Sequence, residues 1–183
     1  MATNELTGAP RFGEVHELFR ESFRHFLETE LMPSFEQYEK DGIVPREVYR
    51  KAGENGFMGM EVPEEYGGAG VDDFWLNVVL HEEIGRLGVV GFGAGLTLHN
   101  DVCLPYFLHY ANEEQKQRWL PGIVSGELLT AVAMTEPEAG SDLAGIATRG
   151  TLDGDAYVVN GSKTFITNGV NADLVITAVR TEP

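Results

Sequence analysis

A chain of 183 residues with 43% hydrophobic and 23% charged residues can bury one sizeable core or two small ones, as an ordinary soluble protein does. Its net charge of −16 repels polyphosphate duplexes and anionic lipid, which excludes a nucleic-acid partner and leaves a basic protein as the partner such a surface would attract. Cys103 is the only cysteine, residues 1–12 carry neither a secretory signal nor an Arg-rich transit pattern, and no apolar run reaches spanning length, so the expectation is a reduced, cytoplasmic setting without a membrane anchor.

The first two-thirds reads as helical. Val15, Leu18, Phe19, Ser22, Phe23, Phe26, Leu27 and Leu31 recur at spacings of three and four, with Glu14, Glu17, Arg20, Glu21, Arg24 and Glu28 between them. That is the pattern of an amphipathic helix, which Pro33 is placed to kink. Asp41-Gly42 breaks it, and Pro45 suits the first turn of a short helix through Glu54. Residues 61–70 form a Gly-rich connector. Asp72 or Asp73 is a candidate cap for a helix to about Leu87, followed by an apolar helix over about 90–110 and a third, capped by Asn112, to about Val124.

After Gly126 the texture changes. Residues 128–134 are nearly all apolar, and 148–152, 156–159, 163–167 and 174–179 read as short strands, with Asp153-Gly154, Asn160-Gly161 and Asn168-Gly169 as turn dipeptides. The expected class is α+β: an all-α helical bundle domain over 1–126, then the first part of an antiparallel β domain over 127–183. Four or five strands with an open edge read as the front portion of a longer fold.

Two segments concentrate candidate chemistry. Residues 134–141 read as a strand feeding a turn of small residues, where backbone N–H groups can approach an anion and Ser141 adds a hydroxyl; an ordinary ligand-free β-turn fits the same pattern. In a strand, Phe165 and Thr167 share one face and Ile166 takes the other, which suits packing against a flat cofactor or a half-buried sheet position.

The order Met134-Thr135-Glu136-Pro137, then Gly140-Ser141-Asp142-Leu143, then Asn160-Gly161-Ser162-Lys163-Thr164-Phe165-Ile166-Thr167-Asn168-Gly169 resembles the acyl-CoA dehydrogenase family, its long-chain-like branch in particular. Residues 26–39 and 63–68, His99 and residues 113–127 extend the likeness over essentially the whole chain. The resemblance implies an N-terminal helical domain plus the start of the middle β domain, with the C-terminal helical domain missing. It implies FAD as cofactor, held by residues 132–141: Val132, Met134 and Thr135, the last two near the isoalloxazine edge, and Gly140 and Ser141 at the pyrophosphate. Phe165, Ile166 and Thr167 would approach the ring from the second segment, and Ser141 would also touch the CoA part of the substrate. Many family members carry Trp where Phe165 stands, so an indole N–H is lost here.

The implied reaction is α,β-dehydrogenation of an acyl-CoA thioester to the trans-2-enoyl-CoA. Electrons would pass to an electron-transfer flavoprotein, and the complete protein would be a homo-oligomer, by resemblance a tetramer. The family's base lies in the absent domain, so no catalytic residue is assigned and the chain alone is expected to be inactive. Glu136, Glu138 and Asp142 are given structural roles in turns. Two other readings stand beside this one: a flavin oxidase or monooxygenase of the same superfamily, and a non-catalytic binding module. Gly91, Gly93 and Gly95 match a dinucleotide fingerprint only loosely; in the family this helix lines the acyl pocket, where small residues would leave room for a chain. The five scattered histidines point to no metal site, Asn160-Gly161-Ser162 is a sequon in the wrong compartment, and Cys103 reads as a buried apolar residue.

Overall fold

The computed structural model describes residues 12–181; the amino-terminal stretch read above for targeting signals lies almost wholly outside them. The first helix, α1 (Glu14–Phe26), passes through a π-helical segment (Leu27–Leu31) into α2 (Met32–Asp41). Pro33 has no N–H and its ring crowds the carbonyl four residues back, and the widened turn just before it accommodates both defects. The same device recurs: α5 (Val90–Thr97) runs through a π-helical segment (Leu98–Cys103) into α6 (Leu104–Tyr110), with Pro105 at the start of α6. The apolar helix expected over 90–110 is therefore continuous but not uniform.

Between them lie α3 (Arg46–Glu54), with Pro45 as its N-cap, and α4 (Trp75–Leu87), whose first N–H groups include that of Trp75 donating to Asp73 Oδ1 at 3.0 Å. Asn112 caps α7 (Glu113–Ser125) reciprocally with Gln115, and Gly126 ends it at φ +75°, a backbone that glycine adopts without strain. The main core gathers Phe23, Phe26, Phe57, Phe92 and Tyr49. The rings of Phe23 and Phe57 lie 4.9 Å apart edge to face, and Tyr49 lies 5.3 Å from Phe92.

The β region departs from expectation in two ways. Strand β1 (Thr130–Ala133) pairs with β4 (Leu174–Thr177) in parallel, Thr130 opposite Leu174, whereas β2 (Arg149–Asp153) and β3 (Ala156–Asn160) form the antiparallel strand pair among the described residues. A parallel pair needs a long crossover, and residues 134–173 supply it. Within it, Gly154 at φ +64° closes the two-residue β2–β3 hairpin. Second, residues 163–167 are not a strand. Phe165 sits at φ +56° and Asn168 at φ +62°, and left-handed residues cannot continue a ladder.

Two buried polar groups tie the helices together. Glu83, 2% exposed, accepts from Arg24 Nε and Nη2 at 2.8 Å each, from Arg86 Nε at 2.8 Å and from Arg20 Nη1 at 3.3 Å, locking α1 to α4. The Arg24 bonds, acting against the burial penalty, hold its carboxyl down to about 2. His99, 0% exposed, donates from Nε2 to Ile123 O at 3.0 Å, while Nδ1 accepts from the Thr130 hydroxyl at 2.8 Å and the Thr130 N–H at 3.3 Å. One neutral imidazole thus joins the π-helical segment, α7 and β1.

Glu83→Gln leaves three guanidiniums without their shared carboxylate. Arg24 and Arg86 are 37% and 44% exposed and recover hydration, so the expected loss in urea denaturation is about 2 kcal/mol. Burial pulls the His99 pKa down to about 4, against a small opposing effect of the Ile123 carbonyl. The unfolded chain therefore takes up a proton near pH 6.5 that the folded protein refuses until about pH 4. The His99 contribution is complete above pH 6.5 and falls by up to roughly 3 kcal/mol as pH drops through that window. Denaturation midpoints between pH 7.5 and 4.5 should decline less steeply in His99→Gln than in the parent.

Candidate functional site

The parallel pair delivers its chain end to the site. Val132 is half-buried within β1, and Met134 and Thr135 are half-buried just past its end. Residues 136–139 then close a tight turn, Glu136 N–H donating to Ala139 O at 2.8 Å and Ala139 N–H to Glu136 O at 3.2 Å. Gly140 and Ser141 follow it exposed, and nothing lies within 4 Å of where a Cβ on Gly140 would point. Asp142 Oδ1 accepts from Ala144 N–H at 3.1 Å, capping a short turn as expected.

The side chain of Glu136 points inward. It is 6% exposed and accepts from Lys163 Nζ at 2.8 Å, Ala147 N–H at 2.6 Å and Thr148 N–H at 3.0 Å. Lys163 Nζ also donates to Met134 O at 2.8 Å, and Thr164 N–H donates to Thr135 O at 3.0 Å. Lys163, with the two amides, holds the Glu136 carboxyl down to about 2. Sequence reasoning gave Glu136 a turn role and Lys163 none. The signal was there: an acid in one segment, directly after Thr135, and a base in the other, two residues before Phe165.

These bonds place Thr135 beside residues 164 and 165. The Phe165 ring is 92% exposed, Ile166 is half-buried and Thr167 exposed. Among the described residues, the backbone N–H groups of Thr135, Gly140, Ser141, Phe165 and Thr167 have no protein acceptor. The Thr164–Thr135 bond brings the Thr135 and Phe165 halves together, and among the described residues no hydrogen bond ties Gly140 or Ser141 to residues 165–167.

Behind this loop lies a cavity of about 330 Å³, lined by Tyr38, Glu39, Tyr49, Gly91, Ile166 and Thr167 among others. The glycines of α5 do not leave the space expected of them. A Cβ on Gly93 would meet Ile84 Cγ2 at 2.3 Å, and one on Gly95 would meet the Tyr49 hydroxyl at 2.3 Å and Asn168 Oδ1 at 2.6 Å. Their role is close packing of α5 against α4, α3 and the loop; Gly91 alone faces the cavity. Among the described residues there is no group of three or more side chains fit to hold a metal ion, and no helix long and apolar enough to cross a membrane.

Lys163→Met strands the Glu136 carboxylate in its buried position, whereas Glu136→Gln together with Lys163→Met removes both charges. Thermal denaturation should find Lys163→Met the less stable of the two, a non-additivity that a pair acting independently would not give.

Two family models match the chain: the N-terminal domain of acyl-CoA dehydrogenase over residues 13–127 and its middle domain over residues 131–183. The chain is 41% identical over 165 residues to the mitochondrial long-chain specific acyl-CoA dehydrogenase of Sus scrofa, covering 90% of this chain and 38% of that protein. It is similar to the crystal structure of an acyl-CoA dehydrogenase from Geobacillus kaustophilus, with TM-score 0.90, 52% identity and coverage of 96% of this chain and 45% of that one. It is also similar to the FAD-complexed acyl-CoA dehydrogenase of Bacillus anthracis, with TM-score 0.81, 33% identity and coverage of 93% and 30%. The chain spans under half the length of these relatives. With its helical part and its β region both matched, the chain belongs to the acyl-CoA dehydrogenase family.

Proposed function

We propose that this chain supplies part of the FAD site of an enzyme that dehydrogenates acyl-CoA thioesters between the α and β carbons. One observation carries the reading: the Glu136–Lys163 ion pair and the Thr164–Thr135 bond set the two motif segments side by side, with the Phe165 ring presented outward. The donor set suits the cofactor. Thr135, Ser141 and Thr167 hydroxyls and the unpaired N–H groups are neutral donors, matched to the carbonyl and nitrogen edge of an isoalloxazine and to a pyrophosphate. Phe165 offers an aromatic face without an N–H, so its contribution is packing.

In this reading Val132, Met134, Thr135, Gly140, Ser141, Phe165, Ile166 and Thr167 hold FAD, with Ser141 also meeting the CoA moiety. The domains divide at 126/127 in this reading; one family model ends at residue 127 and the other begins at residue 131. Bound FAD supplies the acceptor for the β hydrogen and its electron pair. The α proton needs a carboxylate base, and Glu136 is unsuited: it is buried, three donors occupy it, and they hold its proton affinity far too low. The base belongs outside these 183 residues, so the chain alone gives no turnover. Electrons pass to an electron-transfer flavoprotein, and the full-length protein works in the cytoplasm as a homotetramer.

The test is made on the full-length protein, stripped of flavin and titrated with FAD by fluorescence quenching. Thr135→Ala and Phe165→Asp should each weaken binding at least about tenfold, a loss of about 1.4 kcal/mol, while Tyr157→Ala on the exposed β3 leaves it unchanged. Equal affinity in all four proteins would sink the reading. With FAD restored, the parent should reduce a dye acceptor in the presence of an acyl-CoA.

A further inference from the structure

Among the described residues, Phe165 and Asn168 are the only non-glycine residues with positive φ, at +56° and +62°, and they bracket Ile166 and Thr167. An aromatic residue held left-handed with its ring in solvent persists only where the surroundings fix it. The surroundings here converge on the Asn168 side chain. Its Nδ2 donates to Gly95 O at 2.9 Å and to Thr130 O at 3.2 Å, so one amide group reaches α5 and β1 at once. Gly95 lacks a Cβ, which lets Asn168 approach that carbonyl; any side chain there would collide with Asn168 Oδ1. The backbone is pinned too. Gly169 N–H donates to Ile166 O at 2.9 Å, and the N–H groups of Asn171 and Ala172 both donate to Asn168 O at 2.8 Å. Asparagine is one of the few residues that combine tolerance of the left-handed region with a two-donor side chain.

We propose that Asn168 is a positioning residue: its carboxamide, clamped between the Gly95 and Thr130 carbonyls, holds the 165–168 turn in the conformation that presents the Phe165 ring and the Thr167 hydroxyl to the flavin. This rests on the FAD reading above. It adds that the shape of the site is set from the helical part, through a side chain that need not touch the cofactor. The β1 end is anchored separately, by the Glu136–Lys163 pair, so the loop is held at both ends.

Two variants of the full-length protein separate positioning from mere support of the fold. Asn168→Gly keeps the left-handed backbone and deletes both donors. Asn168→Asp keeps the shape and sets an acceptor against two carbonyl oxygens. In flavin-free protein, amide hydrogen exchange at Gly169, Asn171 and Ala172 should quicken at least about tenfold in both variants, with exchange in α7 unchanged. FAD should then bind at least about tenfold more weakly, and the visible band of the bound flavin should shift. Faster exchange with parental FAD affinity and spectrum would make Asn168 a purely structural residue and overturn the proposal. Unchanged exchange would overturn the clamp itself. Should Asn168→Asp unfold, seen as faster exchange throughout α7, Asn168→Gly decides alone. A parent protein that does not bind FAD would refute the FAD reading, and this proposal with it, while the exchange data would still report whether the clamp holds the turn.

Discussion

A carboxylate taken out of water must find donors, and the places it can find them fix everything nearby. Glu136 finds three, and all three come from later in the chain: the amides of Ala147 and Thr148 and the ammonium of Lys163. Satisfying this one group folds residues 137–162 back as a closed excursion, with the β2–β3 hairpin inside it, and returns the chain to the end of β1. Lys163 then caps the Met134 carbonyl, and Thr164 completes the junction with Thr135. The site is the by-product of burying one charge. A neutral pair of similar shape could hold the same place, but a carboxylate with a misplaced Lys163 is penalised in a way an apolar contact is not, and that asymmetry specifies the register.

The helical part makes the same use of polar groups as fasteners between apolar layers. Its core of Phe23, Phe26, Phe57 and Phe92 supplies cohesion without direction. Direction comes from Glu83 among its arginines, from His99 and from Asn100, which accepts from Gly59 N–H at 3.1 Å and donates to Phe57 O at 2.9 Å. His99 reaches β1 from the π-helical segment, and Asn168 reaches α5 from the loop. Both side chains also bond Thr130, His99 at its N–H and hydroxyl and Asn168, by the same amide that reaches Gly95, at its carbonyl. Thr130, fully buried at the head of β1, is therefore the point where the two parts of the chain are registered.

What could be read from the residues follows from how local the physics is. The Asn112 cap, the Gly126 stop and the Asp153-Gly154 hairpin depend on neighbours within a few positions, and all appear where the chain suggests them. The strand expected at 163–167 fails because Phe, Ile and Thr favour strands only as packing partners, and here Lys163, Thr164 and Asn168 are each bound to something distant. The parallel pairing of β1 with β4 hides behind a crossover of some forty residues. Gly93 and Gly95 suggest empty space because a sequence shows what is small but not what leans against it, here Ile84 and Tyr49. The candidate residues were legible as motifs, while the clamp that assembles them lay in residues whose partners are far along the chain.

The exposed Phe165 ring gives the site an energetic bias. Holding a non-glycine residue left-handed costs roughly 1–2 kcal/mol, and leaving a phenylalanine in water forgoes roughly 1.5–3 kcal/mol of burial. Both penalties are borne by the described structure, and the Asn168 and Glu136 clamps keep the turn from relaxing. In the proposed reading the flavin face covers the ring on binding, so burial of Phe165 is gained at that step while the conformational cost has already been met during folding. A trimmed or mobile turn would reverse the order, ordering itself at the expense of affinity. In the proposed reading phenylalanine at 165 fits this division, since it offers a rigid apolar face without an N–H that would itself need a partner once covered.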